Sequence, residues 1–326
     1  MRKQGLLQII LAYLFPHLGR PEPTDQRQHQ HRRGRVSVRC GRRPHPAHDQ
    51  CAPAQRHLDT LDAAIRHTRA LVDKLRALRA GLLHDLLTRG LDEHGELRPA
   101  PEEAPDQYRD NSALGRLPRA WEVVRLDAKA EIASGVTLGR TVSGADAVEL
   151  PYLRVANVQD GHLDLTEIKT VRVYRSEVSR FALMDGDVLL TEGGDFDKLG
   201  RGAVWRGQTN PCLHQNHIFR VRPVGGELHP PYFAALIGSA YGRRYFLSIA
   251  KQTTNLASIN STQLRAFPLL RPGIEEQRRI ADTLEAHDAR VEAEKAELAK
   301  LEALKRGLMD DLLTGRVRVP VSVGEG

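Results

Sequence analysis

The sequence predicts an α+β fold: one mixed α/β domain flanked by two long amphipathic helices that pair as an antiparallel coiled coil. The main observation is a helix-length segment that occurs twice, at 58–88 and at 284–314, with about 14 of 31 positions identical. The second is a series of short β-rich runs, bounded by turn residues, between the two copies. Because only two copies exist, separated by about one domain's length, a stacked repeat protein is excluded.

Residues 1–52 form a basic, low-complexity segment that we predict to be disordered. The first 50 positions hold ten Lys and Arg residues and three acidic ones, a surplus equal to the whole formal charge of +7. Such a run is weak evidence for nucleic acid binding, because it is often simply solvated. Cys40, His45, His48 and Cys51 have a spacing that could hold zinc, but few apolar residues surround them, so we predict no metal site.

Cysteine usage and hydropathy predict a cytoplasmic location. The three cysteines include no CxxC pair, which favours a reducing compartment. The apolar stretch at 5–15 is too short to span a bilayer and is not followed by a small-residue cleavage site. No membrane association is therefore expected.

The repeat predicts two helical arms, at 53–92 and at 273–316. Apolar residues recur at steps of three, four and seven, which places them on one stripe of each helix, opposite the charged residues. A single stripe needs a partner, and two arms of this length would form a coiled coil of roughly 46 Å. The shared sequence weighs against the alternative that each helix packs separately on the domain.

Between the arms we predict a Pro-rich, acidic linker at 93–117 and a domain at 118–272, with a short tail at 317–326 after the second arm. The linker cannot be helical throughout because of its prolines. Trp121, Val123 and Leu126 mark the first core contacts of the domain. One helix is expected from 231 to 249. The predicted strands lie at 151–158, 170–174, 186–191, 202–205 and 218–221.

The domain carries no recognisable catalytic or cofactor motif. Gly193, Gly194 and Gly200 surround Lys198 but lack the strand, GxxxxGK[ST] and helix order of a phosphate-binding loop. GxGxxG opening a helix, HExxH and GxSxG are also absent. Asp187, which follows Gly186, is better explained as a turn cap than as a metal ligand. We predict a binding domain that is not an enzyme and that holds no cofactor or metal itself.

DNA is contacted by Arg, Lys, Asn and Gln side chains at its base edges and phosphates. Three polar clusters offer these residue types on predicted loops, at 193–201, 214–217 and 251–260. The third is favoured, because a run of amides and hydroxyls after Lys251 suits contact with base edges. For each residue, a bond to its own loop backbone is an equally good interpretation. The predicted DNA-binding residues are Lys198, Arg201, Asn216, Lys251, Gln252, Thr254, Asn255 and Asn260.

The order and spacing of several motifs resemble the specificity subunit of type I restriction-modification systems, over 58–316. The most specific motif is the sequence PGIEEQRRIA at 272–281, in which Glu-Gln-x-x-Ile opens the long helix. The other matching motifs are Leu117-Pro118 with Trp121 and Leu126, Tyr152-Leu153-Arg154-Val155 with Asn157 and Gly161, Gly186-Asp187-Val188-Leu189-Leu190, and Leu199-Gly200-Arg201.

This resemblance implies a target recognition domain at 118–272 that reads one half of a bipartite site in double-stranded DNA through the major groove. It also implies that the helices act as a spacer and as the docking surface for modification (methyltransferase) and restriction subunits. Family members supply no catalysis, so S-adenosylmethionine, ATP and Mg are expected on the partner subunits. The residues expected to bind these partners are Leu75, Leu82, Leu86, Leu298, Leu301, Leu308 and Leu312.

The chain departs from the family pattern, in which two recognition domains alternate with two arms. It is expected to be a half-length form, which either dimerises to read a palindromic site or is an inactive truncated product. A structural coiled-coil hinge protein is the alternative from another class, although arms of about four heptads are short for that role. A methyltransferase is disfavoured because the nearest string to its catalytic loop begins with His229, which lacks the paired acceptor oxygens.

Overall fold

The computed structural model describes residues 48–111, 115–194, 199–252, 257–314 and 316, without the side chains of 48–55 and 252. The chain divides into two compact units. In the described part, a helical unit comprises 48–80 and the residues from 286 onward, and a body unit comprises Gly81–Glu285. None of the helices in the described ranges has a window apolar and long enough to cross a membrane.

Six α-helices and fourteen strands are present in the described residues. The helices are His48–Thr88 (α1), Arg175–Phe181 (α2), Pro230–Gly238 (α3), Ala240–Ile249 (α4), Ser261–Arg265 (α5) and Ile274–Leu313 (α6). The strands are Tyr108–Asn111 (β1), Gly115–Pro118 (β2), Glu122–Arg125 (β3), Ala130–Ser134 (β4), Ala147–Leu153 (β5), Lys169–Tyr174 (β6), Val188–Thr191 (β7), Gly193–Gly194 (β8), Gly202–Val204 (β9), Leu213–His214 (β10), Ile218–Pro223 (β11), Lys251–Gln252 (β12), Ala257–Ser258 (β13) and Pro268–Arg271 (β14).

The helical unit is an antiparallel pair, formed by the first part of α1 and the last part of α6. Ile65, Val72, Leu75 and Val291 are buried, as the apolar periodicity predicts. Three ion pairs cross between the helices, and their residue numbers rise on one helix as they fall on the other. They are Asp62 with Lys305, Arg69 with Glu302, and Arg79 with Asp288. Because these pairs are partly exposed, they set the register more than the stability.

The body unit is built around a four-stranded antiparallel sheet in the order β4-β11-β7-β9. Beside it, β5 pairs antiparallel with β6 and parallel with β10. Val188, Leu189 and Leu190 are fully buried in succession, which shows that β7 is covered on both faces. α3 packs against β7 and β9 and covers one of these faces. Each of the five predicted β-rich runs overlaps one of the strands β5, β6, β7, β9 and β11, although β5 begins and ends earlier than the predicted run 151–158.

The single helix expected at 231–249 is wrong, because two helices occupy this region. Ser239 has an extended backbone (φ −74°, ψ 169°) and ends α3. Its hydroxyl oxygen then accepts a hydrogen bond from the Gly242 amide, 3.4 Å away, as the cap of α4. The chain turns back closely here, since a Cβ atom on Gly242 would lie 2.2 Å from the Ile237 carbonyl oxygen. Only glycine fits this approach.

A buried carboxylate, Glu276, holds the first turn of α6 in the body unit. Its Oε1 accepts hydrogen bonds from the Leu91 amide (3.0 Å) and from Trp121 Nε1 (3.0 Å). Arg98 donates to both oxygens, at 2.6 Å and 3.0 Å. Burial is the largest single influence on the pKa of Arg98 and lowers it, but the hydrogen bond to Glu276, together with nearby negative charge, leaves the net pKa raised. Gly90, at φ +68°, leaves no room for a side chain beside this group. We call these residues the Glu276 cluster.

The neighbouring Gln277 is fully buried and uses both ends of its amide. Its Nε2 donates to the carbonyl oxygens of Glu227 (2.9 Å) and Pro272 (2.8 Å). Its Oε1 accepts from the His229 amide at 2.9 Å. A buried amide with all these partners fixes two stretches of chain to the start of α6, the one just before α3 and the one just after β14.

Glu276→Ala is expected to destabilise the protein by about 3 kcal/mol, because it leaves a buried guanidinium and two buried N–H groups without an acceptor. Glu275→Ala is the matched control. It removes the same charge from the same helical turn, but Glu275 is exposed and pairs with Arg278, so its loss costs about 0.5 kcal/mol or less. Urea unfolding followed by circular dichroism measures both, and equal midpoints for the two variants would contradict the assigned role of the cluster.

Candidate nucleic-acid interface

The three polar segments singled out in the sequence meet at the end of β7, around Glu192. β8 begins at the next residue and pairs with β13 of the third segment, with Gly193 opposite Ser258. β13 in turn pairs with β12, which begins at Lys251. A small three-stranded sheet, β12-β13-β8, therefore joins the first segment to the third. We refer to this region as the loop junction.

Glu192 also binds the second segment. Its amide donates to the His217 carbonyl oxygen (3.0 Å), and its own carbonyl accepts from the Ile259 amide (2.9 Å). Its side-chain Oε2 lies 2.6 Å from His217 Nδ1. One residue thus contacts both of the other segments, mainly through backbone groups. The arrangement is independent of most of the side chains in the three segments.

Two glycines permit the close backbone contacts at the loop junction. A Cβ atom on Gly193 would lie 2.8 Å from the Ala257 carbonyl oxygen, where β8 approaches β13. On Gly135 it would lie 1.9 Å from the His214 carbonyl oxygen. That carbonyl accepts from the Val136 amide (2.7 Å), and Val136 accepts from the Asn216 amide (3.0 Å). The 214–217 segment is therefore held against 135–136 by main-chain bonds.

His214 belongs to the core although the sequence groups it with a polar loop. It is fully buried in β10, and its Nδ1 lies 3.1 Å from the Phe181 carbonyl oxygen. Burial lowers the pKa of His214 to about 4, so the ring is neutral at physiological pH. Asn216 is half-buried and His217 is exposed, so the accessible part of this segment starts after His214.

The structure brings several predicted DNA-binding residues to the loop junction. Lys251 is exposed at the start of β12, where Gln252 follows it. Arg201 is half-buried, and its Nη1 lies 3.4 Å from Gln159 Oε1. The predicted residues Lys198, Thr254 and Asn255 lie outside the described residues. Base contact by any member of this set stays a prediction.

Asn260 is exposed, but its side chain takes part in the local structure. Its Oδ1 accepts from the Gln263 amide at 2.9 Å and caps α5. Gln263 Oε1 accepts from the Asn260 amide at 2.8 Å, which completes a capping box. Only the Nδ2 group of Asn260 is left for a contact outside the chain.

The partner-binding leucines predicted from the sequence are distributed over both units. Leu75 is buried in the helical unit, whereas Leu82 and Leu86 are buried in the body unit. The half-buried ones lie on the last part of α6, namely Leu298, Leu301, Leu308 and Leu312. On the same part of α6, Leu304 and Leu313 are 58% and 74% exposed. This segment of α6 therefore presents apolar surface in the described structure.

The string at 229–233, the closest in sequence to a methyltransferase loop, lies inside the fold. Tyr232 and Phe233 are fully buried, and the Tyr232 hydroxyl donates to the Leu270 carbonyl oxygen at 2.8 Å. Burial raises the pKa of Tyr232 well above its usual value. In the described part of the chain, no three His, Cys, Asp or Glu side chains come together in a way that could hold a metal ion.

Comparison with known proteins gives a consistent set of similarities. The type I restriction modification DNA specificity domain family matches residues 118–303. The putative type I restriction enzyme MjaX specificity subunit of Methanocaldococcus jannaschii is 28% identical over 203 residues, which cover 62% of this chain and 47% of that protein. The EcoKI specificity subunit of Escherichia coli is 27% identical over 157 residues, covering 48% of this chain and 33% of that protein. The chain thus spans about half the length of these relatives, or less.

The fold is also similar to a solved structure. The HsdS subunit from Thermoanaerobacter tengcongensis aligns with a TM-score of 0.50 and 17% sequence identity, over 81% of this chain and 57% of that one. At this identity the similarity concerns the fold alone, and it agrees with the α+β class predicted from the sequence.

Asn260→Ala is expected to lower the free energy of unfolding by about 1 kcal/mol, because the first turn of α5 loses its cap. Asn260→Asp keeps an acceptor oxygen in the same place and is expected to remain within about 0.5 kcal/mol of the natural protein. Thermal unfolding of the two variants tests this difference. Equal destabilisation by both would show that the capping bond is not what Asn260 contributes.

Proposed function

The chain belongs to the type I restriction modification DNA specificity domain family, and we propose that it acts as the DNA sequence-specificity subunit of a type I restriction-modification complex. The observation that carries this proposal is the family match over 118–303, which covers most of the body unit and enters α6. The body would read one half of a bipartite DNA site. The helices would dock the subunits that modify and cleave DNA.

The loop junction supports DNA reading by its construction. Its frame consists mainly of main-chain bonds around Glu192, so exposed side chains such as that of Lys251 are not needed to hold the frame. Amide and ammonium groups at such positions suit the donor and acceptor patterns of base edges in the major groove. Asn216 and Gln252 provide the amides, and Lys251 the ammonium group, on elements that meet at the junction.

We further propose that the chain has no catalytic activity of its own. The burial of Tyr232 and Phe233 supports this view, because the string closest to a methyltransferase loop cannot reach a base placed outside the fold. In this proposal, S-adenosylmethionine, ATP and Mg are bound by the partner subunits. This chain contributes the position at which those subunits act.

The last part of α6 is the proposed docking surface. Leu304 is exposed there, on the same side of the helix as the half-buried Leu301, Leu308 and Leu312, and Leu313 is exposed at the helix end. A helix face with accessible apolar side chains is typical of a site for a partner protein. Methyltransferase and restriction subunits are the partners that the proposed function requires.

The function is tested by expressing the chain together with a modification subunit from the same genome. The complex is then purified, and methylated adenines are mapped in the host DNA. We expect the two chains to purify together and a defined methylated sequence to appear only when both are present. Methylation of the same sequence in cells without this chain would contradict the proposal.

Replacement of Leu298 and Leu301 by Asp is expected to abolish co-purification with the modification subunit, because two buried charges cannot be accommodated in an apolar helix contact. The body unit should keep its fold, as judged by tryptophan fluorescence of Trp121 and Trp205. The matched control places Asp at Ala299 and Ala303, which are exposed on the same helix segment. An equal loss of binding in the control would refute the role of the leucine stripe.

Gln252→Ala is expected to change the methylated sequence while leaving assembly of the complex intact, because loss of one two-pronged base contact removes about 1–3 kcal/mol of discrimination. The measurement is sequencing of methylated adenines in cells that carry the variant complex. An unchanged sequence at full methylation would remove Gln252 from the set of base-reading residues.

A further inference from the structure

One long segment of the body unit carries positive charge with no acidic residue in the sequence to balance it. From 228 to 274 there is no Asp or Glu, whereas five basic residues occur. They are Arg243, Arg244, Lys251, Arg265 and Arg271. The segment includes α3, α4, β12, β13, α5 and β14, and thus part of the loop junction.

Three of these five cations are engaged elsewhere in the body. Arg271 pairs with Glu122 and Glu227. Arg265 donates to the Ile132 carbonyl oxygen at 2.9 Å. Arg243 pairs with Asp160 and donates to the Gly238 carbonyl oxygen at 3.2 Å. In each case a fixed partner accounts for the side chain.

Arg244 and Lys251 differ from these three. Both are exposed, and neither side chain forms an ion pair or hydrogen bond with another residue in the described ranges. Arg244 lies near the middle of α4, and Lys251 begins β12 two residues after that helix ends. The two cations are therefore on consecutive elements, and the second of these, β12, belongs to the loop junction.

The position of α4 is rigidly set, which fixes where Arg244 points. Phe246 is fully buried, and its ring stacks on Phe267 at a centroid distance of 5.6 Å. A Cβ atom on Gly200 would lie 2.4 Å from the Phe246 ring, so the 199–201 backbone presses against the inner face of α4. Arg244 lies two residues before Phe246, on the opposite side of the helix, and is exposed on the outer face of α4.

We propose that Arg244 and Lys251 form a phosphate-binding site, and that Arg244 binds the DNA backbone while the loops of the loop junction read bases. This inference rests on the proposed function and names which contact is independent of sequence. A guanidinium fits a phosphate group with two parallel hydrogen bonds, and an exposed cation without an ion pair can bind a phosphate without first breaking one. Contacts from Arg and Lys to phosphate oxygens position a protein on DNA without reading its sequence.

The test uses the purified complex with the modification subunit and two duplexes of equal length, one with the methylated sequence and one scrambled. Arg244→Ala is expected to weaken binding to both by the same factor, roughly three- to tenfold at low salt, and to reduce the slope of log affinity against log salt by about 0.9. The methylated sequence should stay unchanged. Arg244→Lys should restore most of the salt slope, because it restores the charge.

Arg172→Ala is the matched control. Arg172 is also exposed in the body unit, but it lies on β6 directly opposite an acidic residue, Glu149 of β5, and outside the segment from 228 to 274. We expect natural affinity for both duplexes. A loss of affinity equal to that of Arg244→Ala would overturn the assignment to α4.

The remaining outcomes separate the inference from the proposed function. Natural affinity and salt slope in Arg244→Ala would overturn the inference, and so would an altered methylated sequence, which would make Arg244 a base reader. Loss of co-purification with unchanged DNA binding would assign Arg244 to a protein contact and would also overturn it. If the unaltered complex fails to distinguish the two duplexes, the proposed function fails, whatever Arg244 does.

Discussion

The buried carboxylate of Glu276 is the constraint on which the body unit depends. Its donors come from the residues after α1, from the following linker and from the turn before β3, so one side chain of α6 is bonded to groups that lie 155 to 185 residues earlier in the chain. A buried charge is stable only when its partners remain in place. The Glu276 cluster therefore ties the first turn of α6 to the folding of the whole body, and Gln277 extends the same tie to the chain around α3 and β14.

The loop junction follows a different physical rule. Its contacts are main-chain hydrogen bonds around Glu192, and close approach is secured by Gly193 and Gly135, which tolerate no side chain. A frame of this kind places little demand on the exposed side chains that project from it. Substitutions at exposed positions such as Lys251, unlike those at His214, Gly193 or Asn260, would then change which chemical groups are presented at little cost in stability. A module that must acquire new recognition without refolding needs this separation.

Features with a local signal could be predicted from the sequence, and features that depend on pairing over long distances could not. The repeat and its apolar periodicity predicted the antiparallel helices, and the Glu-Gln motif at 276–277 indicated the family. The burial of His214 escaped prediction, because it follows from pairing of β10 with β5, some 60 residues away. Asp187 was predicted as a turn cap and does accept from the Met184 amide, but its buried pair with Arg222 of β11 had no local signal. The break at Ser239 was missed although Gly238 and Ser239 are residue types typical of a helix end and of an N-cap.

Positive charge in the body unit is largely compensated within the chain itself. Among the described basic residues of the body, most are neutralised by a carboxylate or a carbonyl oxygen, and this compensation is what a stable monomeric fold favours. The segment 228–274 differs in that its own sequence supplies no acid. Three of its cations obtain partners from other elements, whereas Arg244 on α4 and Lys251 at the start of β12 have none in the described residues. In the proposed function, a polyanion that approaches from outside is the partner of these two cations.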